Sequence, residues 1–333
     1  MLCCFPKMSC LGNRSRSSES LRPFLPSELF IHQIKKLPHD LMYQVFTSMR
    51  PAHVFIFYHM SMEHRKILAK YKLKAVFGLL VKSRDVEIVV SSWHQKRDSF
   101  HIRTDRTGRK RTVEWNDQVL KELDQDEDWF TVFKLLYSIY SGKKIILKTL
   151  EIWSDSEHLE NLDRVFVEIL NKSERDINIE CFEYYPDTER SLKFLSLFRV
   201  TTYVHLFYMP KECPHHIFED ASVRIDRGYD FTLEHLLIPR KKDLCISLSH
   251  LTDADFNKFL KQWLQTGNNF KLDIGTNAVT NMADLTADLV FSAFNQQGPV
   301  YKVYEYGDYC PNRRHAYVRR TQGAFEFSPT SFS

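Results

Sequence analysis

Apolar positions keep a helical period from Leu37 to Tyr71, change to short alternating runs between Ala75 and Trp115, and return to a helical period near residue 130. Beyond that point the two periods alternate. Pro38 suits a first helical turn, where its fixed φ fits and its missing N–H costs no hydrogen bond. Leu41, Met42, Val45, Phe46 and Met49 then mark one apolar helical face. Arg50-Pro51 breaks that helix, and Pro51 opens a second carrying Val54, Phe55 and Phe57. Ser61 offers a hydroxyl N-cap, with Glu63 near the positive end of a third helix that carries Ile67, Leu68 and Tyr71. Three such short helices cannot cover their own apolar faces, so they need a partner or the downstream body.

The strand pattern that follows is AVFGLLV, EIVVSSW, FHIR and TVEW, separated by polar turns. A helix over about Asp126–Tyr140 has Trp129, Val132, Phe133, Leu136, Ile139 and Tyr140 on its apolar side. Strands are then predicted at Thr149–Trp153, Ile179–Phe182, Tyr203–Phe207, Ser222–Asp226, Leu244–Leu248 and Leu272–Ile274. Their recurrence every ~20 to 30 residues is the spacing of leucine-rich-repeat-like units, although the strict leucine consensus and asparagine ladder are absent. The intervening helices carry Leu159, Leu162, Val165, Phe166 and Ile169, then Leu192, Leu195 and Phe198, with Ser154 and Glu157 as a capping box for the first. The fold class expected is α+β or α/β: an N-terminal three-helix module, β-hairpins, an irregular α/β solenoid, and a terminal β cap at Val300–Tyr304 and Ala316–Phe327.

Strand alternation sorts these segments into two faces. With Leu150, Ile152, Ile179, Cys181, Val204, Leu206, Val223, Ile225, Leu272 and Ile274 inward, the outer face takes Glu151, Trp153, Glu180, Phe182, His205, Phe207, Arg224, Asp226 and Asp273. Aromatics mixed with charges make a candidate recognition surface, with Trp153, Phe182, His205, Phe207, Arg224 and Asp226 as its target-binding residues. The alternative is that a neighbouring element covers the aromatics.

Composition narrows the partners. At 333 residues and 43% apolar, the chain can build a real core. A net charge of +4 gives no field that favours nucleic acid or an anionic membrane. Seven cysteines without a Cys-x-x-Cys fit a reducing compartment. The start MLCCFPKMSC has no apolar h-region for a signal peptide, and the longest apolar run, Val54–Tyr58, is far too short to span a bilayer. Localisation is therefore expected to be cytoplasmic or nuclear. Residues 1–29, rich in Ser and Arg, read as a disordered leader in which Cys3-Cys4 beside Lys7 is either a chance pair or an acylation site. The basic cluster Arg103, Arg106, Arg109, Lys110 and Arg111 reads as a solvated hairpin tip, or as an import or phosphate-contacting loop, and the acidic run Glu122–Asp128 follows it.

Catalytic motifs are lacking. Ser141-Gly142-Lys143-Lys144 has no upstream glycine for a phosphate loop, and neither His-Glu-x-x-His nor Gly-x-Ser-x-Gly occurs. Cys213-Pro214-His215-His216 is the most metal-like cluster, but no distal ligand pair has zinc spacing. Asp253 and Asp255 read as first-turn charges that favour a helix dipole. No catalytic, cofactor-binding or metal residue is assigned, and no cofactor is expected.

Two blocks carry a family resemblance. Leu37-Pro38, Leu41, Val45-Phe46, Met49, Val54-Phe55 and Ser61 resemble an F-box. Tyr58 departs from it by standing where serine is common, and Met62-Glu63 by replacing a basic pair. Downstream, residues 251–272 resemble the signature of the nematode-type F-box-associated domain, type 2, through Leu251, Thr252, Asp253, Asp255, Phe256, Asn257, Phe259, Leu260, Lys261, Trp263, Gly267 and Asn268. Residue chemistry gives that block a capping box at Thr252 and Asp255, an apolar face and a glycine stop. Weaker matches are WFTVFKLLYSIYS from Trp129 and RRTQGAFEF from Arg319.

The resemblance implies a non-catalytic substrate receptor of a Skp1-cullin-F-box ubiquitin ligase. An F-box at 30–73 would bind the Skp1-type adaptor through Leu37, Pro38, Leu41, Val45, Phe46 and Val54. An α/β domain at 74–330 would hold an unknown protein target; its parts are 74–116, about 145–295, and 296–328. The alternative is a non-ligase interaction scaffold with a degenerate F-box.

Overall fold

The computed structural model describes residues 36–71, 73–92, 96–105, 107, 110–140, 146–153, 158–170, 177–185, 193–210, 213–267, 270–293, 300–304 and 315–329. The leader, Arg106, Arg109, the Ser141–Lys144 segment, the Ser154/Glu157 pair, Leu192 and Asn268 lie outside them. The described residues form eight α-helices and fifteen strands, a mixed α+β fold. The chain divides into two compact units, residues 1–80 with 84–149, and residues 81–83 with 150–333.

In the first unit, helices α1 (His39–Ser48), α2 (Pro51–Met60) and α3 (Met62–Leu68) precede strands β1 (Ala75–Lys82), β2 (Asp85–Ser92), β3 (Arg97–Thr104), β4 (Arg111–Trp115) and β5 (Gln118–Leu123). These strands are neighbours in chain order, and β2 to β5 pair antiparallel. Pro51 is at the start of α2, and Ser61 caps α3 by accepting from the His64 N–H. Pro38 stands one place earlier than expected: it precedes the helix, and its carbonyl accepts the first helical bond from Met42. Helix α4 (Trp129–Ile139) begins at the first residue of its apolar period, three residues after the expected start at Asp126, because Asp128 caps it through the Thr131 N–H at 3.0 Å. Its Phe133 packs on Phe77 of β1, with ring centroids 5.6 Å apart.

In the second unit the strands are β6 (Ile146–Trp153, from residue 150), β7 (Ile177–Tyr184), β8 (Phe198–Tyr208), β9 (Ser222–Arg227), β10 (Leu244–Ser249), β11 (Leu272–Thr276), β12 (Val290–Ala293), β13 (Val300–Tyr304), β14 (His315–Thr321) and β15 (Ala324–Pro329). The order is β12-β13-β14-β15-β11-β10-β9-β8-β7-β6. Strands β7 to β11 run parallel, and β15 pairs antiparallel with β11. The helices are α5 (Leu159–Arg164, continuing as a π-helix to Leu170), α6 (Leu233–Leu236), α7 (Asp253–Thr266) and α8 (Met282–Thr286). Each strand expected between Thr149 and Ile274 coincides with an observed one. Phe198 is a correction: it opens β8, because the segment before it is a short 3₁₀ turn, Lys193–Leu197.

Helix α7 follows its sequence closely. Thr252 and Asp255 form a reciprocal capping box, and Gly267 ends the helix in the left-handed region at φ 70°. Phe256 stacks on Phe325 at 4.1 Å, and Trp263 meets Phe327 edge-on at 5.0 Å. A buried ion pair, Asp253 Oδ1 to Arg320 Nε at 2.5 Å, ties the helix start to β14. Asp253 thus does more than complement the helix dipole.

Candidate functional site

Two surfaces come out of this architecture, one on each unit. On the first, the helical module is anchored by a residue far away in sequence. Asp98 of β3, fully buried, accepts from the Ala52 N–H in the first turn of α2 at 2.9 Å, from Arg50 Nε at 3.0 Å and from Trp115 Nε1 at 3.0 Å. It satisfies an orphan donor at the α2 N-terminus that no local side chain reaches. Phe55 packs against Phe100 at 5.3 Å on the same side. The inner face of α2 is therefore covered by the strands of its own unit, and the helices also cover one another.

That packing sorts the proposed adaptor-binding residues. Pro38 and Leu41 are exposed, Leu41 to 45%, and Leu37 and Val45 are half-buried. Phe46, 1% exposed, and Val54 are core. Phe46 is surrounded by Phe57 at 5.3 Å and Tyr71 at 5.4 Å. This corrects the list: Phe46 and Val54 have no surface to offer a partner, and they shape the module from inside. Tyr43, Met60 and Met62, the last 64% exposed, are further apolar groups at the surface of these helices. Tyr58 has an internal role, because the Arg65 guanidinium lies over its ring at 5.1 Å.

On the second unit, register aligns one row across parallel β7 to β11 and antiparallel β15: Glu183, His205, Arg224, the buried Cys245, Asp273 and Glu326 are successive partners. At its β7 end these side chains are bonded to one another. Tyr185 Oη donates to Glu183 Oε2 at 2.7 Å and meets His205 Nδ1 at 2.6 Å. His205 Nε2 meets Asp226 Oδ2 at 2.9 Å, and Arg224 Nε donates to Asp226 Oδ1 at 2.9 Å. The Trp153 ring, 49% exposed, lies on Tyr185 with centroids 4.3 Å apart.

Burial and the Glu183 carboxylate push the Tyr185 hydroxyl well above its ordinary range, and burial followed by Glu183 pushes Tyr203 up to about 12. Burial acts to raise the Asp226 carboxyl, but the bonds from His205 and Arg224 outweigh it and hold that group below the usual carboxylate range. The row is a pre-oriented polar surface with one open aromatic.

Of the target-binding candidates, Trp153, His205, Phe207, Arg224 and Asp226 reach this surface at least in part. Phe182 does not. It is 0% exposed, packed on Phe198 at 5.5 Å, and is a correction. Between the pairs Ile179/Val200 and Cys181/Tyr203, β8 advances three residues while β7 advances two. This bulge reverses the alternation, so Phe182 and Tyr184 turn inward while Glu183 and Tyr185 turn outward. Sequence alternation therefore missed Glu183 and Tyr185. The one available signal was the apolar pair Cys181-Phe182, which interrupts strict alternation.

Cys213 and His216 are engaged elsewhere. Burial pushes the Cys213 thiol up to about 12, and His216 Nε2 faces the carbonyls of Phe198 at 2.9 Å and Leu195 at 3.2 Å. Among the described residues no group of three or more His, Cys, Asp or Glu side chains has a metal-binding arrangement, and no helix is long and apolar enough to cross a membrane.

Comparison with known families gives one match: the F-box associated family (FBA_2) model fits residues 213–273. This segment runs from the β8–β9 connection through β9, β10 and α7 into β11, and it contains the 251–272 block. No curated protein sequence and no solved structure matches the chain.

Proposed function

We propose that the chain is a substrate-recognition subunit of a Skp1-cullin-F-box ubiquitin ligase. Helices α1 to α3 act as the F-box that binds the Skp1-type adaptor, and the second unit presents a protein target. The observation that carries this reading is the F-box-associated match over residues 213–273, in a chain that also has a three-helix segment with exposed apolar groups. The irregular-solenoid reading is supported by the parallel order of β7 to β11. The subunit does no bond chemistry itself, needs no cofactor, and works in the cytoplasm or nucleus. It raises the effective concentration of a target lysine near the ubiquitin-charged enzyme held elsewhere in the cullin assembly.

Adaptor binding through a standard interface of roughly 1,600 Å² would be dominated by a few apolar anchors. Leu37, Pro38, Leu41 and Val45 are the sequence-derived candidates that retain accessible surface. The test is capture of purified Skp1 adaptor by the full-length chain, with and without the combined Leu37→Ala and Pro38→Ala substitutions. Capture that the double substitution abolishes supports the assignment. Capture that it leaves unchanged removes these positions from the interface.

A second reading, a scaffold whose F-box no longer engages a ligase, is favoured by one observation. Tyr58, at a place where the family often has serine, is used internally beneath Arg65. Absence of capture by the intact chain would select it.

A further inference from the structure

Among the described residues of the second unit six large apolar side chains are exposed; Val167 lies on the π-helix and Val290 at the start of β12, and the other four share one edge. Trp153, Tyr229, Leu248 and Val279 all stand at or just beyond the carboxyl ends of β6, β9, β10 and β11. The carboxyl edge of a parallel sheet is the place where open α/β sheets bind their ligands. Three details show that this rim is held in place. The Gly228 N–H donates to the Ser247 carbonyl at 2.9 Å, which sets the Tyr229 segment beside the end of β10. Tyr229 is itself backed by His250, with ring centroids 5.2 Å apart.

Leu248 sits at φ 57°, a conformation that leucine rarely adopts, where the pairing of β10 with β11 shifts register between Ile246 and Ser249. The strained backbone holds an apolar side chain at the surface, which is where strain points toward function. The fourth element is a cation. Arg227, exposed at the end of β9, lies 4.9 Å from the Phe207 ring and 5.1 Å from the Tyr208 ring, and donates to the Tyr208 hydroxyl. Among the described residues no carboxylate pairs with it, and neighbouring Asp226 is bonded to Arg224 and His205.

We propose that this carboxyl-edge rim, and not only the polar face beside it, is the docking surface for the protein target. Its occupant is a segment carrying a carboxylate flanked by apolar side chains. The carboxylate meets the aromatic-held Arg227, and the apolar groups cover Tyr229, Leu248 and Trp153. This inference rests on the receptor reading above and specifies the chemistry of its target.

The test is selection from a random peptide display library on the full-length chain, followed by affinity measurement of the selected peptides against variants, with adaptor capture measured in parallel. The expected peptides combine Asp or Glu with apolar residues and bind Tyr229→Ala at least about tenfold more weakly. Arg227→Glu should reverse the preference toward Lys-bearing peptides. Leu248→Gly separates docking from folding, since glycine accepts the positive φ: thermal stability should hold or rise while peptide binding falls. Selection of no peptide, or of peptides indifferent to these variants or lacking an acidic residue, would overturn the proposal. Intact adaptor capture alongside such a failure sinks the rim alone, whereas rim-sensitive peptides without adaptor capture sink the ligase reading alone.

Discussion

Asp98 is the residue on which the helical module of the first unit depends. One buried carboxylate answers a guanidinium, an indole N–H and the first-turn N–H of α2. Asp98→Ala should cost about 3 kcal/mol in denaturant unfolding, because it leaves those donors facing a cavity. A loss below ~1 kcal/mol would show that water replaces the carboxylate there. His59 is a second site of tension. Burial, with Lys121 and Arg65 nearby, lowers its pKa from 6.5 to about 4. The folded state therefore resists its protonation, while the unfolded chain takes up the proton near 6.5. This contribution to stability is complete above pH 6.5 and is lost progressively as the pH falls toward 4. His59→Gln should flatten the stability profile across that window in thermal melts, and an unchanged slope would show that His59 titrates freely in the fold. Neither residue could be picked from the sequence. Asp98 lies in β3, in the run KRDSF, with nothing local to mark it, and its three partners are 17 to 48 positions away.

At the level of elements, the features legible in the sequence are those encoded within a few residues. The capping box and glycine stop of α7 lie within a few residues of the helix they delimit, so the sequence states them outright. The strand positions from β6 to β11 were legible for the same reason. What alternation alone could not supply was the register of β7 against β8, because a bulge is a property of the pair and not of either strand. This shift exchanged Phe182 for Glu183 and Tyr185 on the outer face. The consequence is a sharp contrast between two aromatics first assigned to one surface. Phe182→Ala should destabilise the fold by about 3 to 5 kcal/mol, as a buried large-to-small change. Trp153→Ala should stay within about 1 kcal/mol. Equal losses in calorimetric melting would contradict the register described here.

For the whole molecule, the division into compact units falls near residue 150, and the three N-terminal helices cluster with β1 to β5. Helix α2 rests on Phe100 and is pinned by Asp98, while Phe46 of α1 packs on Phe57 and Tyr71, which is how helices too short to bury themselves are stabilised. The sequence raised this alternative, packing on the downstream body or on a partner, without deciding between them. The structure supports the first for the inner faces, and it leaves Leu41, Tyr43, Met60 and Met62 at the surface. Adaptor binding therefore has to be tested in the full chain, since a fragment ending near residue 75 would lack the strands on which the helices rest. The most direct measurement is the affinity of full-length protein for purified Skp1 adaptor, compared with that of the Leu37/Pro38 double alanine variant. Binding by the intact chain that the double variant loses, with the melting temperature unchanged, is the result predicted. Equal binding by both, or none by the intact chain, would contradict the assignment of these helices as an adaptor-binding F-box.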